Sequence, residues 1–196
     1  MVEAWYYNTT DRSDGRYPHQ YTPNRPVPLS LLAKMGIQIS RIDVSLPNYM
    51  LHIDEICTER AYKHRDEITI SKELLPNYEQ LINMFFTEHM HPDEEIRFVV
   101  EGSGFFDVRS PNDVWIRIKA GPSDLIVLPA GLYHRFTLDA SNYIRCVRVF
   151  KELTVWTSLN RSPDTDTNSH RIAYLNNYAD AGRYFQKEAC FCCCEE

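Results

Sequence analysis

The chain has no run of lysine and arginine, and its 27 acidic against 21 basic residues leave a mild net charge of −6. Without a basic patch there is no footprint for a phosphate backbone, so a nucleic-acid partner is not expected. No stretch approaches the roughly 20 consecutive apolar residues of a membrane-crossing helix. The N-terminus, MVEAWYYNTTDRSDGRYPHQ, lacks the basic-then-apolar order of an export signal. The expectation is a soluble cytoplasmic protein with no membrane partner. A disulfide framework is missing too: Cys57 and Cys146 stand alone, while Cys190, Cys192, Cys193 and Cys194 crowd the end. That tail, ACFCCCEE, makes a poor prenylation box, so lipidation is not expected.

What is present is enough for one core: 196 residues, 43% of them hydrophobic. Up to Pro28 the chain is rich in Pro, Asn, Asp, Thr and Tyr, and Pro18, Pro23, Pro26 and Pro28 block regular helix. This reads as an extended strap laid over a core. A short helix is predicted over Leu31 to Met35, capped by Ser30 and ended by Gly36, followed by a strand over Ile37 to Val44. Further helices are predicted around His52 to His64 and after Pro76.

From Met84 to Thr157 the pattern changes to short β-branched and aromatic segments separated by turn signals such as Gly102-Ser103-Gly104 and Pro129-Ala130-Gly131. The fold class is therefore mainly β, a single barrel with a few short helices, mostly N-terminal. Residues 1–161 form the predicted domain. Residues 162–196 read as a polar loop, a loosely packed helix over Arg171 to Glu188 and the cysteine-rich tail, partly disordered.

Chemistry concentrates in FFTEHMHPDEEIRF and LPAGLYHRF. His89 and His91 are two apart in a strand pattern, so their imidazoles leave one face and can chelate one ion. Pro92-Asp93 turns the chain and lets Glu95 return to that ion. Glu94 is the rival, but parity places Glu95 with Arg97 and turns Glu94 outward with Ile96. The tight Pro129-Ala130-Gly131 turn delivers His134 at the start of a strand. Any single histidine here reads as an ordinary polar side chain; four ligand residues at these spacings read as a metal site. His19, His52, His64 and His170 have no such context. Three imidazoles and a carboxylate suit a six-coordinate first-row ion such as iron(II) or nickel(II), which keeps open positions for a chelating substrate.

Arg97 shares the face of Glu95 and can hold an anionic oxygen, or else pair with a nearby carboxylate. Arg148 shares its face with Ile144, Cys146 and Phe150, so it needs a partner, either an anionic ligand or a buried ion pair. Phe136, in phase with His134, walls the cavity or simply packs the core.

His-x-His-x-x-x-Glu followed by Pro-x-Gly-x-x-His resembles the two-part metal signature of the cupin superfamily, whose fold is a double-stranded β-helix, or jelly roll. The segments MVEAWYY, LPNYE, EHMHPDEEIRFVVEGSGFFDVR, WIRI, LPAGLYHRFTLDASNY and VWTSLNR look like the acireductone dioxygenase family, in order over about the first four-fifths of the chain. The resemblance implies a monomeric, cytoplasmic and nuclear enzyme of methionine salvage. Such an enzyme cleaves 1,2-dihydroxy-5-(methylthio)pent-1-en-3-one with O2. With Fe2+ the products implied are 4-methylthio-2-oxobutanoate and formate; with Ni2+ they are 3-(methylthio)propanoate, formate and carbon monoxide. It also implies that His89, His91, Glu95 and His134 hold the ion, that Arg97 orients the substrate and that Arg148 is a second pocket arginine. Two positions depart from the pattern. Ser123-Asp124 stands where cupins usually carry Gly-Asp, at a position that often needs positive φ, and Thr154 stands where the family usually has proline.

Overall fold

Eleven strands and five short helices are seen in the computed structural model, which describes residues 2–151 and 158–182. In chain order these are β1 (Glu3–Tyr6), α1 (Leu29–Lys34), β2 (Gln38–Arg41), α2 (Tyr49–Glu59), β3 (His64–Ile70), α3 (Tyr78–Phe86), β4 (His89–Met90) and β5 (Glu95–Gly102). There follow β6 (Gly104–Arg109), β7 (Trp115–Ala120), β8 (Asp124–Leu128), β9 (His134–Leu138), β10 (Ile144–Phe150), β11 (Leu159–Asn160), α4 (Pro163–Asp166) and α5 (Ser169–Asn177). The strands form two antiparallel sheets, one ordered β1-β7-β6-β9-β4-β11 and the other β2-β8-β5-β10-β3. The mainly β architecture matches the sequence expectation.

Alternation along the strands decides which side chains enter the barrel. On the five-stranded sheet, Ile96, Phe98 and Val100 of β5 join Val147 and Val149 of β10 in a cluster on the outer face, against Ile53 of α2. The opposite parity, Glu95, Arg97 and Val99, faces the lumen. The main core gathers Val99, Phe106, Val108, Ile116, Ile118 and Leu138 with Leu32 and Met35 of the α1 segment.

Several predicted elements shift. Pro28, not Ser30, is the N-cap of α1, because proline's fixed φ suits a helix entry; Gly36 takes φ 80 just past the end. The predicted strand over Ile37 to Val44 shrinks to β2. Asn77, at φ 56, precedes α3, so Pro76 lies outside it, and Met84 belongs to that helix rather than to the barrel. The helix predicted to reach His64 stops at Glu59. His64 instead opens β3, held along its whole length by β10 from Ile70↔Ile144 to His64↔Phe150. Within the strap, Glu3–Tyr6 forms a true strand on β7.

The strap is locked to the outer face of the six-stranded sheet by a charge cluster. Asp107 on β6 is the register partner of both Arg117 on β7 and Arg135 on β9. Fully buried Asp107 accepts from Arg117 Nε at 2.6 Å and Nη2 at 2.9 Å, and from Arg135 Nε at 2.8 Å. Arg117 Nη1 continues outward to the carbonyls of Gly15, at 2.9 Å, and Tyr17. Its guanidinium also lies over the rings of Tyr7 and Phe105, at 4.5 and 4.6 Å.

At the other end, α5 is not the loosely packed helix predicted. Arg171 and Tyr174 are buried, Tyr174 within the main core and hydrogen-bonded to Met35 O at 3.3 Å. Ser123 does take positive φ, 79°, at a cost of about 1 kcal/mol. Its Oγ accepts from Val44 N at 3.2 Å, a bond glycine would not offer. Thr154 and the Cys190 to Cys194 tail lie outside the described residues.

Candidate metal centre

His89 and His134 are register partners on β4 and β9, so two imidazoles meet on the lumen side of one strand pair. His91 follows immediately beyond β4, and Glu95 is the first residue of β5. The turn before β9 is fastened to the same place. Gly131, at φ 77, donates to His91 O at 2.9 Å, and a side chain there would drive a Cβ to 2.2 Å from His170 O. Only glycine lets the turn pass under α5 and still reach His91.

One ring nitrogen from each of His89, His91 and His134 can be chosen so that all lie within 4.8 Å of one another, and all three residues are buried. Glu95 Oε2 lies 3.1 Å from His91 Nε2 and 3.5 Å from His134 Nε2. Nδ1 of His89 is 2.6 Å from Thr87 O and Nδ1 of His134 is 2.9 Å from Leu132 O. A carbonyl only accepts, so both Nδ1 atoms carry the proton and each Nε2 presents a lone pair. His134 Nε2 is buried and has no hydrogen-bond partner among the described residues. Desolvation, reinforced by His134, pushes His89 down to about 3, so it stays neutral and ligand-ready at physiological pH. Burial alone would raise the Glu95 carboxyl. The Arg97 charge outweighs that and holds it well below its usual value. Lone pairs and a carboxylate converging in a buried spot are reconciled by a divalent cation, and this donor set fits one.

His89, Glu95 and His134 of the cluster line a cavity of about 200 Å³ whose other walls are chiefly apolar, among them Ile68, Phe85, Phe106, Phe136 and Ile144. Phe136 lines it while packing on Phe106 at 4.9 Å between ring centres. Both predicted arginines reach it. Arg97 Nη2 lies 3.2 Å from Glu95 Oε2, and its Nη1 donates to Ile96 O at 2.9 Å. Arg148 donates twice to Asp66, from Nε at 2.7 Å and Nη2 at 2.6 Å.

Glu94 points elsewhere, accepting from Tyr62 OH at 2.6 Å with Lys151 at 3.4 Å. His19 stacks on Tyr7, His52 meets Glu55 on the surface, and His64 and His170 stay outside the cluster. Sequence reasoning missed Asp66, along with Leu81, Met84 and Phe85 of α3 as cavity wall. The apolar spacing after Pro76 signals that helix, though not where its face points.

Two facing sheets with three histidines and a glutamate at one end of the lumen define a cupin-type metal-binding protein. Residues 3–158 match the ARD/ARD' family, and the chain belongs to it. It is 48% identical to acireductone dioxygenase from Aspergillus fumigatus, over 89% of this chain and 95% of that one. The Rattus norvegicus acireductone dioxygenase is 48% identical over 91% and 100%, and that of Homo sapiens 45% over 84% and 91%. Among solved structures, the acireductone dioxygenase from Bacillus anthracis with a cadmium ion in its active centre shares the fold. Its TM-score is 0.67 at 22% identity, covering 81% of this chain and 98% of that one.

Proposed function

We propose that the protein is an acireductone dioxygenase, a metal-dependent oxidoreductase of methionine salvage that cleaves 1,2-dihydroxy-5-(methylthio)pent-1-en-3-one with O2. The observation that carries this reading is the histidine and glutamate cluster set, with two arginines, at the polar end of an otherwise apolar cavity.

His89, His91, Glu95 and His134 would hold a divalent ion, which would supply Lewis acidity toward the enediol oxygens. The chain does the rest. Glu95 stays ionised in a buried site because Arg97 stands beside it. Arg97 and Arg148 favour the deprotonated enediol over the neutral one, since their charge acts in a lumen walled chiefly by apolar side chains. Phe136, Phe85 and Ile68 offer the apolar surface that the methylthio alkyl end requires and keep water from it.

The same ligands accept Fe2+ or Ni2+. Fe2+ gives 4-methylthio-2-oxobutanoate and formate; Ni2+ gives 3-(methylthio)propanoate, formate and carbon monoxide. The enzyme acts as a cytoplasmic and nuclear monomer, without nucleic acid. The test is anaerobic incubation of metal-loaded protein with the substrate, admission of oxygen, and product analysis for each ion. Substrate decay at the uncatalysed rate with both ions refutes the assignment.

A further inference from the structure

We infer that Asp66 is a positioning residue for the substrate anion, acting through Arg148. The inference rests on the reading of Arg148 as a pocket arginine given above. Cross-strand register supplies the first half of the case. Asp66 on β3 is the partner of Arg148 on β10, Arg148 is the partner of Arg97 on β5, and Arg97 is the partner of Ile126 on β8. Asp66, Arg148 and Arg97 therefore stand in one row across the sheet, ending beside Glu95. Directly opposed like charges repel, so the two guanidinium groups stay side by side only if each has a counter-charge. Glu95 serves Arg97, and Asp66 serves Arg148.

The second half is bond geometry. Both Asp66 oxygens are used, by Nε and Nη2 of Arg148, and this two-point fork fixes the guanidinium plane as a single contact would not. It leaves the Nη1 edge of Arg148 unused by Asp66, on a side chain that lines the cavity. A carboxylate near an anion site also weakens that site's attraction. Asp66, however, is about half exposed, so solvent screens its long-range field more than its direct hydrogen bonds. Orientation wins over field, and removing Asp66 weakens substrate binding.

Asp66→Asn is the discriminating variant, because an amide offers one acceptor and presents a donor where the second Arg148 N–H needs an acceptor. Two readouts separate this inference from the assignment of function. The first needs no turnover: peptide mapping of Arg148 modification by phenylglyoxal, expected to be about threefold or more faster in Asp66→Asn than in wild type. The second is steady-state kinetics with acireductone. KM should rise about fivefold or more with kcat within about twofold, the signature of lost binding that is uniform along the reaction. Asp66→Glu should recover part of the loss. In an Arg148→Met background, Asp66→Asn should change KM no further, since its route is gone. An unchanged Arg148 modification rate overturns the inference, as does a wild-type KM in Asp66→Asn or a KM effect that persists without Arg148. Wild-type protein inert toward acireductone overturns the assigned reaction and the substrate role of Asp66 with it, while the modification rate still decides whether Asp66 holds Arg148.

Discussion

Replacing Asp107 by asparagine tests whether the charge cluster outside the barrel holds the fold together. Asp107 and Arg117 are both fully buried, and the carboxylate receives three hydrogen bonds from two guanidinium groups. Asparagine keeps the volume and one acceptor but removes the negative charge that Arg117 and Arg135 share. Removing one partner of a buried pair costs about 3–5 kcal/mol, because the remaining charge stays desolvated. Arg117 keeps its carbonyl bonds to Gly15 and Tyr17 and its contacts with Tyr7 and Phe105, which favours the lower half of that range. For a chain of this size, about 3–4 kcal/mol corresponds to a fall in Tm of roughly 6–16 °C. The assay is calorimetry on the metal-free protein, with limited proteolysis of residues 8–20 as a local probe. The double variant Asp107→Leu with Arg117→Met removes charge from both sides and should lose less than Asp107→Asn alone. A fall of under about 2 °C in Asp107→Asn, or a double variant worse than the single, would refute the reasoning.

Three further outcomes follow from the geometry. His134→Ala should lose its retained metal after gel filtration while Glu94→Ala keeps full loading, since Glu94 is engaged by Tyr62 and Lys151; elemental mass spectrometry decides. Gly131→Ala should destabilise by about 2–4 kcal/mol, from left-handed strain plus a clash with the His170 carbonyl, measured by urea unfolding. Burial pushes the Cys146 thiol up to about 11. A raised folded value means that its contribution is whole below the unfolded pKa and is lost as pH rises through the folded one, between about 9 and 11. Cys146→Val should therefore show a shallower loss of stability than wild type across that window, by about 2–3 kcal/mol in all.

The candidate metal cluster was legible in the sequence because each of its residues sits in a local pattern of strand parity or turn. His89 and His91 follow from strand parity, His134 from a turn that only glycine completes, and Glu95 from sharing a face with Arg97. β3 was illegible for the opposite reason. What makes HRDEITI a strand is pairing with β10, some eighty residues away, and nothing local announces that. Missing β3 also hid Asp66, the carboxylate that answers Arg148. Polar composition left the helix of α5 readable but hid its burial. Its buried face rests on Arg171 and Tyr174, too few residues to stand out from SHRIAYLNN, and the long-range contacts with Gly131 and Met35 decide its place.

His134 and Arg135 are neighbours on β9 that face opposite sides of one sheet, the first toward the lumen cluster and the second toward Asp107. Through Arg117 the outer side of that strand is tied to Gly15 and Tyr17, so folding of the N-terminal strap fixes the rail on which a candidate metal ligand rides. The ordering entropy of His134 is thereby spent when the chain folds rather than when the ion arrives. Linkage makes the relation mutual: an ion that favours the ordered β9 must slow amide hydrogen exchange in residues 14–17, on the far side of the sheet from itself.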